Sequence, residues 1–258
     1  MRFKLTLEVI EKQKPLLPLN YQYELSSWIY KVIDQGDPLF SAWLHSKGYI
    51  SENKQFRLFS FSGLNIPQRE IIGDRLLVKS KNCSFIFSTL PDETIQHFIC
   101  GLFRDRKLFL GDKITNVHFQ VQNIEALPEP EFTHPMIFKT ISPVIVSIKN
   151  DISEHAQYLS PEAEAYSRQI IHNLIGKQKA FCKSERTIEE EGVCFEVISP
   201  VKRKKITIKN HTPHKTDLIA YNYMFRLTAP EEFLRTAYYA GVGEKNSQGF
   251  GCVEVVRD

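Results

Sequence analysis

The chain has 258 residues, of which 42% are hydrophobic, 12% aromatic and 24% charged, and its 33 basic and 30 acidic residues leave a formal net charge of +3. This ordinary globular composition excludes a disordered, collagen-like or low-complexity protein. No apolar run approaches the ~20 residues of a membrane span, and the N-terminus lacks a signal-peptide core, so we expect no membrane association. Five scattered cysteines without a CxxC pair favour a reducing, cytoplasmic setting over a disulfide framework or a zinc site.

The first half of the chain alternates predicted strands and helices. Apolar periodicity, prolines and glycines define these elements. In chain order they are a strand at Met1–Ile10, a helix at Tyr21–Gln35, a helix from Asp37 to Gly48, strands at Phe56–Phe61, Arg75–Lys79 and Ser84–Ser88, a helix opened by Pro91, and a strand or strand pair within Lys107–Ile124. The expected buried stripe of the second helix is Leu39, Phe40, Trp43 and Leu44.

A proline-rich stretch at residues 128–136 is typical of a linker, and it divides the chain into predicted domains at 1–127 and 137–258. Beyond it, the same kinds of element return. They are a strand at Phe138–Ile148, a helix capped by Ser160 and Pro161, strands at Val193–Ser199, Lys204–Lys209 and Leu218–Thr228, a helix opened by Pro230, and a strand at Cys252–Val256.

Both halves therefore follow the order strand, helix, strands, helix, strand. This order is typical of the split βαβ, or ferredoxin-like, arrangement. The predicted fold class is α+β, with tandem ferredoxin-like (RRM-like) βαββαβ domains. The halves share no visible sequence repeat, so one continuous α+β domain is the alternative.

A basic segment stands out against the low net charge. Between Glu196 and Asp217 there is no acidic residue, and the segment contains six basic ones: Lys202, Arg203, Lys204, Lys205, Lys209 and Lys215. Such clustering indicates a polyanion-binding surface. A solvated edge strand, where lysines prevent aggregation, is the alternative.

A glycine-rich loop lies between the last helix and the last strand, with the form G-x-G-x₅-G-x-G over Gly241–Gly251. Dinucleotide-binding loops instead follow a strand and open a helix, and this loop also lacks the GK[ST] of a P-loop, so a nucleotide cofactor is disfavoured. Two interpretations remain. The loop is either a helix cap followed by a bulge, or an exposed turn whose N–H groups bind phosphate.

With these features the chain resembles the CRISPR-associated repeat-processing endoribonucleases of the RAMP superfamily. The matching segments span nearly the whole chain: Met1–Leu5, Trp28-Ile29-Tyr30, Leu44-His45, Phe56–Ser62, Ile141–Val144 and the glycine loop. The resemblance implies metal-independent cleavage of CRISPR precursor RNA within each repeat, without a cofactor. It also implies that the product is guide RNA for an interference complex.

The resemblance carries Tyr30 and His45 over as catalytic residues. RNA cleavage by the substrate's own 2′-OH needs a base, an acid and a cation, and an imidazole exchanges protons near neutral pH. His45 lies opposite the apolar stripe of its helix, and Tyr30 points away from the stripe of its own. We expect His45 as the acid–base centre, Tyr30 as its partner and Arg57 as the cation, with Lys54 and Lys47 as alternatives.

RNA binding is expected at two places. The first is the basic arm, with Lys202, Arg203, Lys204, Lys205 and Lys209, and the second is the glycine loop, with Gly241, Gly243, Lys245, Asn246, Ser247 and Gln248. Tyr221 and Tyr223 are candidates either for base stacking or for packing. His211 and His214 lack the further ligands that a metal site needs.

An RNA-binding RAMP subunit without cleavage activity is the second hypothesis, and an unrelated tandem ferredoxin-like protein is the third. A pure binder would not need the set of Tyr30, His45 and a cation. A homodimer is one alternative for the oligomeric state.

Overall fold

The computed structural model describes residues 1–10, 14–149, 156–183, 192–208 and 215–256. The N-terminal half contains ten strands and three helices in this part of the chain. They are β1 (Arg2–Val9), β2 (Leu16–Pro18), α1 (Gln22–Gly36), α2 (Pro38–Ser46), β3 (Tyr49–Ser51), β4 (Lys54–Phe56), β5 (Phe59–Phe61), β6 (Arg69–Ile72), β7 (Arg75–Val78), β8 (Asn82–Thr89), α3 (Asp92–Arg104), β9 (Lys107–Gly111) and β10 (Asn116–Ala126).

The C-terminal half contributes the remaining elements. They are β11 (Met136–Thr140), β12 (Ser147–Ile148), β13 (Gln157–Tyr158), α4 (Ala165–Cys182), β14 (Cys194–Val197), β15 (Lys202–Ile208), β16 (Thr216–Asn222), β17 (Met224–Thr228), α5 (Glu231–Ala240) and β18 (Val253–Val255). A short 3-10 helix at Asn246–Gln248 lies in the glycine loop. None of the helices in the described ranges is long and apolar enough to cross a membrane.

Two antiparallel sheets form the framework of the fold. The first has the order β5-β8-β1-β10-β9, and the second has the order β14-β17-β11-β18. In the first sheet β1 lies between β8 and β10, and in the second sheet β11 lies between β17 and β18. Strands β5 and β14, which come second in the ferredoxin-like order of their halves, lie at the edges. Helices α1 and α3 connect the strands of the first sheet, and α4 and α5 those of the second. This topology confirms the tandem ferredoxin-like fold.

Buried apolar residues explain why these elements pack together. In α1 the predicted stripe is buried: Leu25, Trp28, Ile29, Val32 and Ile33. The close contact between α1 and α3 depends on Gly101, because a Cβ at that position would lie 1.8 Å from the Val32 carbonyl oxygen. The α1–α3 layer therefore holds α1 against the sheet, and residues on another side of α1, including Tyr30, line a cleft.

Several expected elements differ in the structure. Leu39 is 84% exposed instead of buried, because α2 turns Phe40 and Leu44 towards the core and leaves the neighbouring position outside. The single strand expected at Phe56–Phe61 is two strands, since Leu58 between them has a positive φ of 53°. The strands expected at Phe138–Ile148 and Leu218–Thr228 are each interrupted as well.

The helix expected to be capped by Ser160 and Pro161 begins at Ala165, with Glu164 as its N-cap. The residues between form a turn, in which the Ala163 N–H donates to the Ser160 carbonyl at 2.9 Å. The predicted linker ends where β11 begins, at Met136. The division into domains at 1–127 and 137–258 stays a prediction.

The two halves contact each other directly through polar groups. The Arg2 guanidinium and the Ser88 hydroxyl both donate to the Tyr238 carbonyl, each at 3.2 Å. On another side, the Gly63 N–H donates to the Ile141 carbonyl at 3.4 Å. These contacts hold the halves in a fixed relation and leave a cleft between them.

Candidate active site

One cleft between the halves brings the predicted catalytic residues together. It has a volume of about 1390 Å³, and Tyr30, His45 and Arg57 line it from the N-terminal half. The glycine loop lines the same cleft with Lys245, Asn246, Ser247 and Gln248, among others. Residues that lie far apart in the sequence therefore form one site.

Tyr30 and His45 are in direct contact in this cleft. Their rings meet edge to face, with 5.4 Å between the ring centroids. Tyr30 also packs on Phe59, with 5.6 Å between centroids, while His45 is exposed at the end of α2. The sharp α1–α2 connection sets this geometry, because the Asp37 side chain accepts a 2.9 Å hydrogen bond from the Phe40 N–H and caps α2.

The Tyr30 hydroxyl keeps its proton at neutral pH. Burial raises the pKa of Tyr30, and hydrogen bonds from the Ser247 and Arg57 side chains only partly oppose this effect. The phenol is therefore a hydrogen-bond donor in the cleft beside an exposed imidazole. This pair provides a group that can exchange protons and a group that can orient a substrate oxygen.

Arg57 holds the end of α2 that carries His45. Its guanidinium donates to the main-chain carbonyls of His45 at 2.6 Å and Lys47 at 3.1 Å, and to the Gln55 side chain at 3.4 Å. These bonds satisfy carbonyls that a helix end leaves without partners. Of the alternative cations, Lys54 lines the cleft, whereas Lys47 is not among the described residues that line it.

The glycine loop has a structural requirement for its glycines. Gly241, Gly243, Gly249 and Gly251 all have positive φ. A Cβ on Gly243 would lie 2.4 Å from the Ile145 carbonyl oxygen, and one on Gly251 would lie 1.9 Å from the Val242 oxygen. The Asn246 amide donates to the Val242 and Phe250 carbonyls at 3.0 and 3.1 Å, which closes the loop on itself.

The expected RNA contacts of this loop stay predictions, and the structure distinguishes among them by exposure. Gly241, Gly243 and Asn246 are buried against protein, while Lys245 is exposed and Ser247 and Gln248 are half-buried. The interpretations of the loop as a structural cap and as a binding turn are therefore compatible. Its buried glycines shape a turn whose outer residues reach the cleft.

Lys177 is a central residue of the site that the sequence analysis missed. It lies on α4, it is 2% exposed, and its Nζ donates to the carbonyls of Gly241 at 2.7 Å and Gly243 at 3.0 Å. Burial lowers the pKa of Lys177 to about 7, although the nearby Glu244 carboxylate favours its charge. The available signal was a lysine three residues after Leu174 on the apolar stripe of its helix.

Two further residues of α4 line the cleft and were also missed. Gln169 and Asn173 precede Lys177 at intervals of four residues, so all three lie on one helix face. The Asn173 Oδ1 is buried and has no hydrogen-bond partner among the described residues, and the same is true of the Gln248 Oε1 in the loop opposite. The second half thus supplies a polar wall to a site whose predicted catalytic residues lie on the first.

The basic arm is a two-stranded hairpin formed by β15 and β16. Lys202 and Lys204 line a second groove of about 1180 Å³ between the sheets, together with other basic residues: Lys4, Arg69 and Lys139. Arg203 is exposed, and Lys205 forms a 2.8 Å ion pair with Asp217. Lys209, His211 and His214 lie outside the described residues.

Tyr221 and Tyr223 have packing roles in the structure. They are 8% and 4% exposed, and the Tyr223 hydroxyl forms a 2.7 Å hydrogen bond with the Tyr166 hydroxyl. Side chains this deeply buried have little ring surface for stacking on a base. The packing interpretation therefore describes both residues.

Comparison with known protein families and with individual proteins finds similarity to the same family in both halves of the chain. The model for the N-terminal part of CRISPR-associated protein Cas6 matches residues 16–125, and the model for its C-terminal part matches residues 127–255. The CRISPR-associated endoribonuclease Cas6 1 of Methanocaldococcus jannaschii is 29% identical over 257 residues, covering 99% of this chain and 93% of that protein.

Solved structures have the same fold. A Cas6-related protein from Pyrococcus furiosus superposes with a TM-score of 0.84 at 24% identity, covering 100% of this chain and 99% of its own. A RAMP protein that binds different RNA substrates superposes with a TM-score of 0.82 at 22% identity, and all of both chains is covered. The tandem ferredoxin-like topology is thus shared over the full length.

Proposed function

This chain belongs to the CRISPR-associated Cas6 family, and from that premise we propose that it is an endoribonuclease that cuts CRISPR precursor RNA within its repeats. The observation that carries the proposal is the contact between Tyr30 and His45 in a cleft that Arg57 and the glycine loop also line. Its M. jannaschii relative is named an endoribonuclease and matches nearly the whole chain.

The reaction follows from the groups present in the cleft. The 2′-oxygen of one nucleotide attacks the adjacent phosphorus and loses its proton, while the bond to the 5′-oxygen breaks and that oxygen gains a proton. The products are a 2′,3′-cyclic phosphate and a 5′-hydroxyl. His45 either takes the proton from the 2′-oxygen or gives one to the 5′-oxygen, and solvent exchanges the proton at the other oxygen. The Tyr30 hydroxyl donates a hydrogen bond that orients the substrate or the imidazole.

Charge develops on the phosphate oxygens as the bond forms and breaks. A fixed cation stabilises that charge best when it is already in place. Arg57 takes this role in the proposal and also orients the end of α2 through its bonds to main-chain carbonyls. Lys54 lines the same cleft and is the alternative cation. These groups supply a proton-exchanging imidazole, a hydrogen-bond-donating phenol and a positive charge, and the proposed mechanism uses no metal ion or cofactor.

RNA reaches the cleft along basic surfaces in this proposal. Lys202 and Lys204 in the second groove bind phosphates, and Lys245, Ser247 and Gln248 contact the RNA in the cleft. The product is guide RNA for an interference complex.

The test is incubation with repeat-containing RNA in EDTA, followed by identification of the product ends. The proposal expects cleavage within the repeat, with a 2′,3′-cyclic phosphate on one product and a 5′-hydroxyl on the other. A strict requirement for a divalent metal would contradict the mechanism. Tight repeat binding without cleavage would instead support the RNA-binding subunit.

A further inference from the structure

We propose that Asn173 and Gln248 form a base-recognition subsite in the cleft, which binds the hydrogen-bond-donating edge of one unpaired nucleotide beside the scissile phosphate. The inference rests on the proposed function, because it names what the same cleft recognises in its RNA. Asn173 lies on α4 in the second half of the chain. It is not one of the proposed catalytic residues Tyr30, His45 and Arg57.

Two unsatisfied acceptors point to a ligand. The Asn173 Oδ1 and the Gln248 Oε1 are buried and accept no hydrogen bond within the described structure. Buried polar side-chain atoms without a partner are uncommon in native proteins, and each one requires an explanation. Among the six such oxygens in the described ranges, these two belong to side chains that line the cleft with Tyr30 and His45.

The two amides are carried by elements that are fixed to each other. One helical turn after Asn173, the buried Lys177 donates to the carbonyls of Gly241 and Gly243 and so ties α4 to the loop that carries Gln248. The Gln248 N–H donates to the Lys245 carbonyl at 2.9 Å in the 3-10 turn. Helix α4 and the loop are therefore fixed to each other before RNA arrives, and the two buried oxygens meet the base when their side chains rotate towards it.

The same loop is also bonded to α1, the helix that carries Tyr30. The Ser26 hydroxyl donates to the Ser247 carbonyl at 2.6 Å, and Tyr30 lies one turn after Ser26 on α1. A nucleotide bound by the Asn173 and Gln248 amides would therefore have a set position relative to the Tyr30–His45 pair. Recognition of a base at this point selects which phosphate lies against His45.

The chemistry of the two acceptors defines the base. Sequence-specific recognition of RNA acts on unstacked bases through hydrogen bonds to their edges, and asparagine and glutamine are frequent partners for those edges. Two acceptor oxygens require donors. Adenine, cytosine and guanine each carry an exocyclic amino group, whereas uracil offers a single ring N–H. The subsite should therefore favour an amino-bearing base over uracil.

The experiment uses the full chain and a series of repeat RNAs in which each nucleotide other than uridine is replaced in turn by uridine. Single-turnover kcat/KM is measured for the wild type, Asn173→Ala, Gln248→Ala and Gln120→Ala. Gln120 is an exposed amide on β10, away from the cleft, and serves as the matched control. We expect one replacement beside the cut to lower kcat/KM of the wild type about tenfold.

In Asn173→Ala and Gln248→Ala that tenfold penalty should shrink to about twofold, and in Gln120→Ala it should persist. An unchanged penalty in both cleft variants overturns the inference. So does an equal loss on every RNA, because that result places the amides on a phosphate or a 2′-hydroxyl instead of a base.

A binding measurement separates this inference from the proposed function. The same series is prepared with a 2′-deoxy sugar on the nucleotide whose 2′-oxygen attacks at the mapped cut, which blocks cleavage, and Kd is measured. If the protein cleaves no repeat RNA, the proposed function fails, and a base preference in Kd that Asn173→Ala abolishes still supports the subsite. Binding without any base preference in the wild type overturns it.

Discussion

The rings of Tyr30 and His45 meet edge to face, with 80° between their planes and 5.4 Å between their centroids. Tyr30 lies in the second half of α1, and His45 lies near the end of α2. Asp37 ends the first helix and caps the second, so the angle between the helices brings the two rings together. The contact pairs a half-buried phenol with an exposed imidazole.

Replacing Tyr30 with phenylalanine isolates the role of its hydroxyl. The Phe variant keeps the ring contacts with Phe59 and His45 and loses only the donor, so we expect the single-turnover cleavage rate to fall about tenfold. Tyr30→Ala, which also removes the ring, should lose more. A wild-type rate in Tyr30→Phe would exclude a role for the hydroxyl.

The pH profile provides a second check on Tyr30. Because burial raises the pKa of Tyr30 above its usual value of 10, the hydroxyl stays protonated through the neutral range. The cleavage rate should therefore show no loss from tyrosine ionisation below about pH 10. An alkaline limb below that pH that disappears in Tyr30→Phe would contradict the burial effect.

Arg57 should matter more than Lys54 for cleavage. Arg57→Ala removes both the proposed phosphate cation and the bonds to the His45 and Lys47 carbonyls, so we expect a loss of about 10²-fold in single-turnover rate. Lys54→Ala should cost less. Lys31→Ala is the control, because Lys31 is an exposed lysine on α1. A larger loss in Lys54→Ala than in Arg57→Ala would assign the cation role to Lys54.

The two faces of the basic arm should differ in their contribution to RNA binding. Lys204 lines the groove between the sheets, whereas Lys205 is ion-paired with Asp217. Lys204→Ala should weaken binding and reduce the slope of log K against log salt by about 1, and Lys205→Ala should change the slope less. Filter binding at several salt concentrations measures both slopes, and equal slopes in the two variants would contradict the assignment.

Lys177 should make the stability of the protein depend on pH. In the folded protein the pKa of Lys177 is lowered to about 7, whereas the unfolded chain keeps its ordinary value of 10.5. Between these values the unfolded state binds more protons, so stability rises with pH across this window and is lost as pH falls towards 7. The neutral amine still has two N–H groups for the Gly241 and Gly243 carbonyls.

The measurement for Lys177 compares chemical denaturation of the wild type and Lys177→Met between pH 7 and about pH 10. The wild type should gain free energy of unfolding relative to the variant by up to ~1.4 kcal/mol per pH unit. The difference in slope is the test, because the variant loses the two hydrogen bonds at every pH. Parallel pH dependences in the two proteins would show that Lys177 does not titrate in this range.

Most of the fold follows from local patterns in the sequence. The stripe of α1 from Leu25 to Ile33 predicted its buried face because helix periodicity records which side meets the core. The predicted burial of Leu39 was wrong because a nine-residue helix has room for few core contacts, and Phe40 and Leu44 make them. The break at Leu58 depends on a positive φ that residue type does not signal.

The site was only partly predictable, and the reason is distance along the chain. The prediction of Tyr30 and His45 came from a family resemblance. Their ring contact depends on the angle between two helices, which the sequence does not give. Asn173 and Lys177 meet the glycine loop only after the second half folds, so no local pattern marks them as cleft residues. A lysine on an apolar stripe was the one sign available for Lys177.

The most direct test of the central claim is the single-turnover cleavage rate of a repeat RNA by His45→Ala. The proposed mechanism predicts a fall of about 10²–10⁴-fold with repeat binding retained, because in that mechanism the imidazole moves a proton. His172→Ala is the matched control, since His172 is an exposed histidine on α4. A near-normal rate in His45→Ala would contradict the role of His45 in proton transfer.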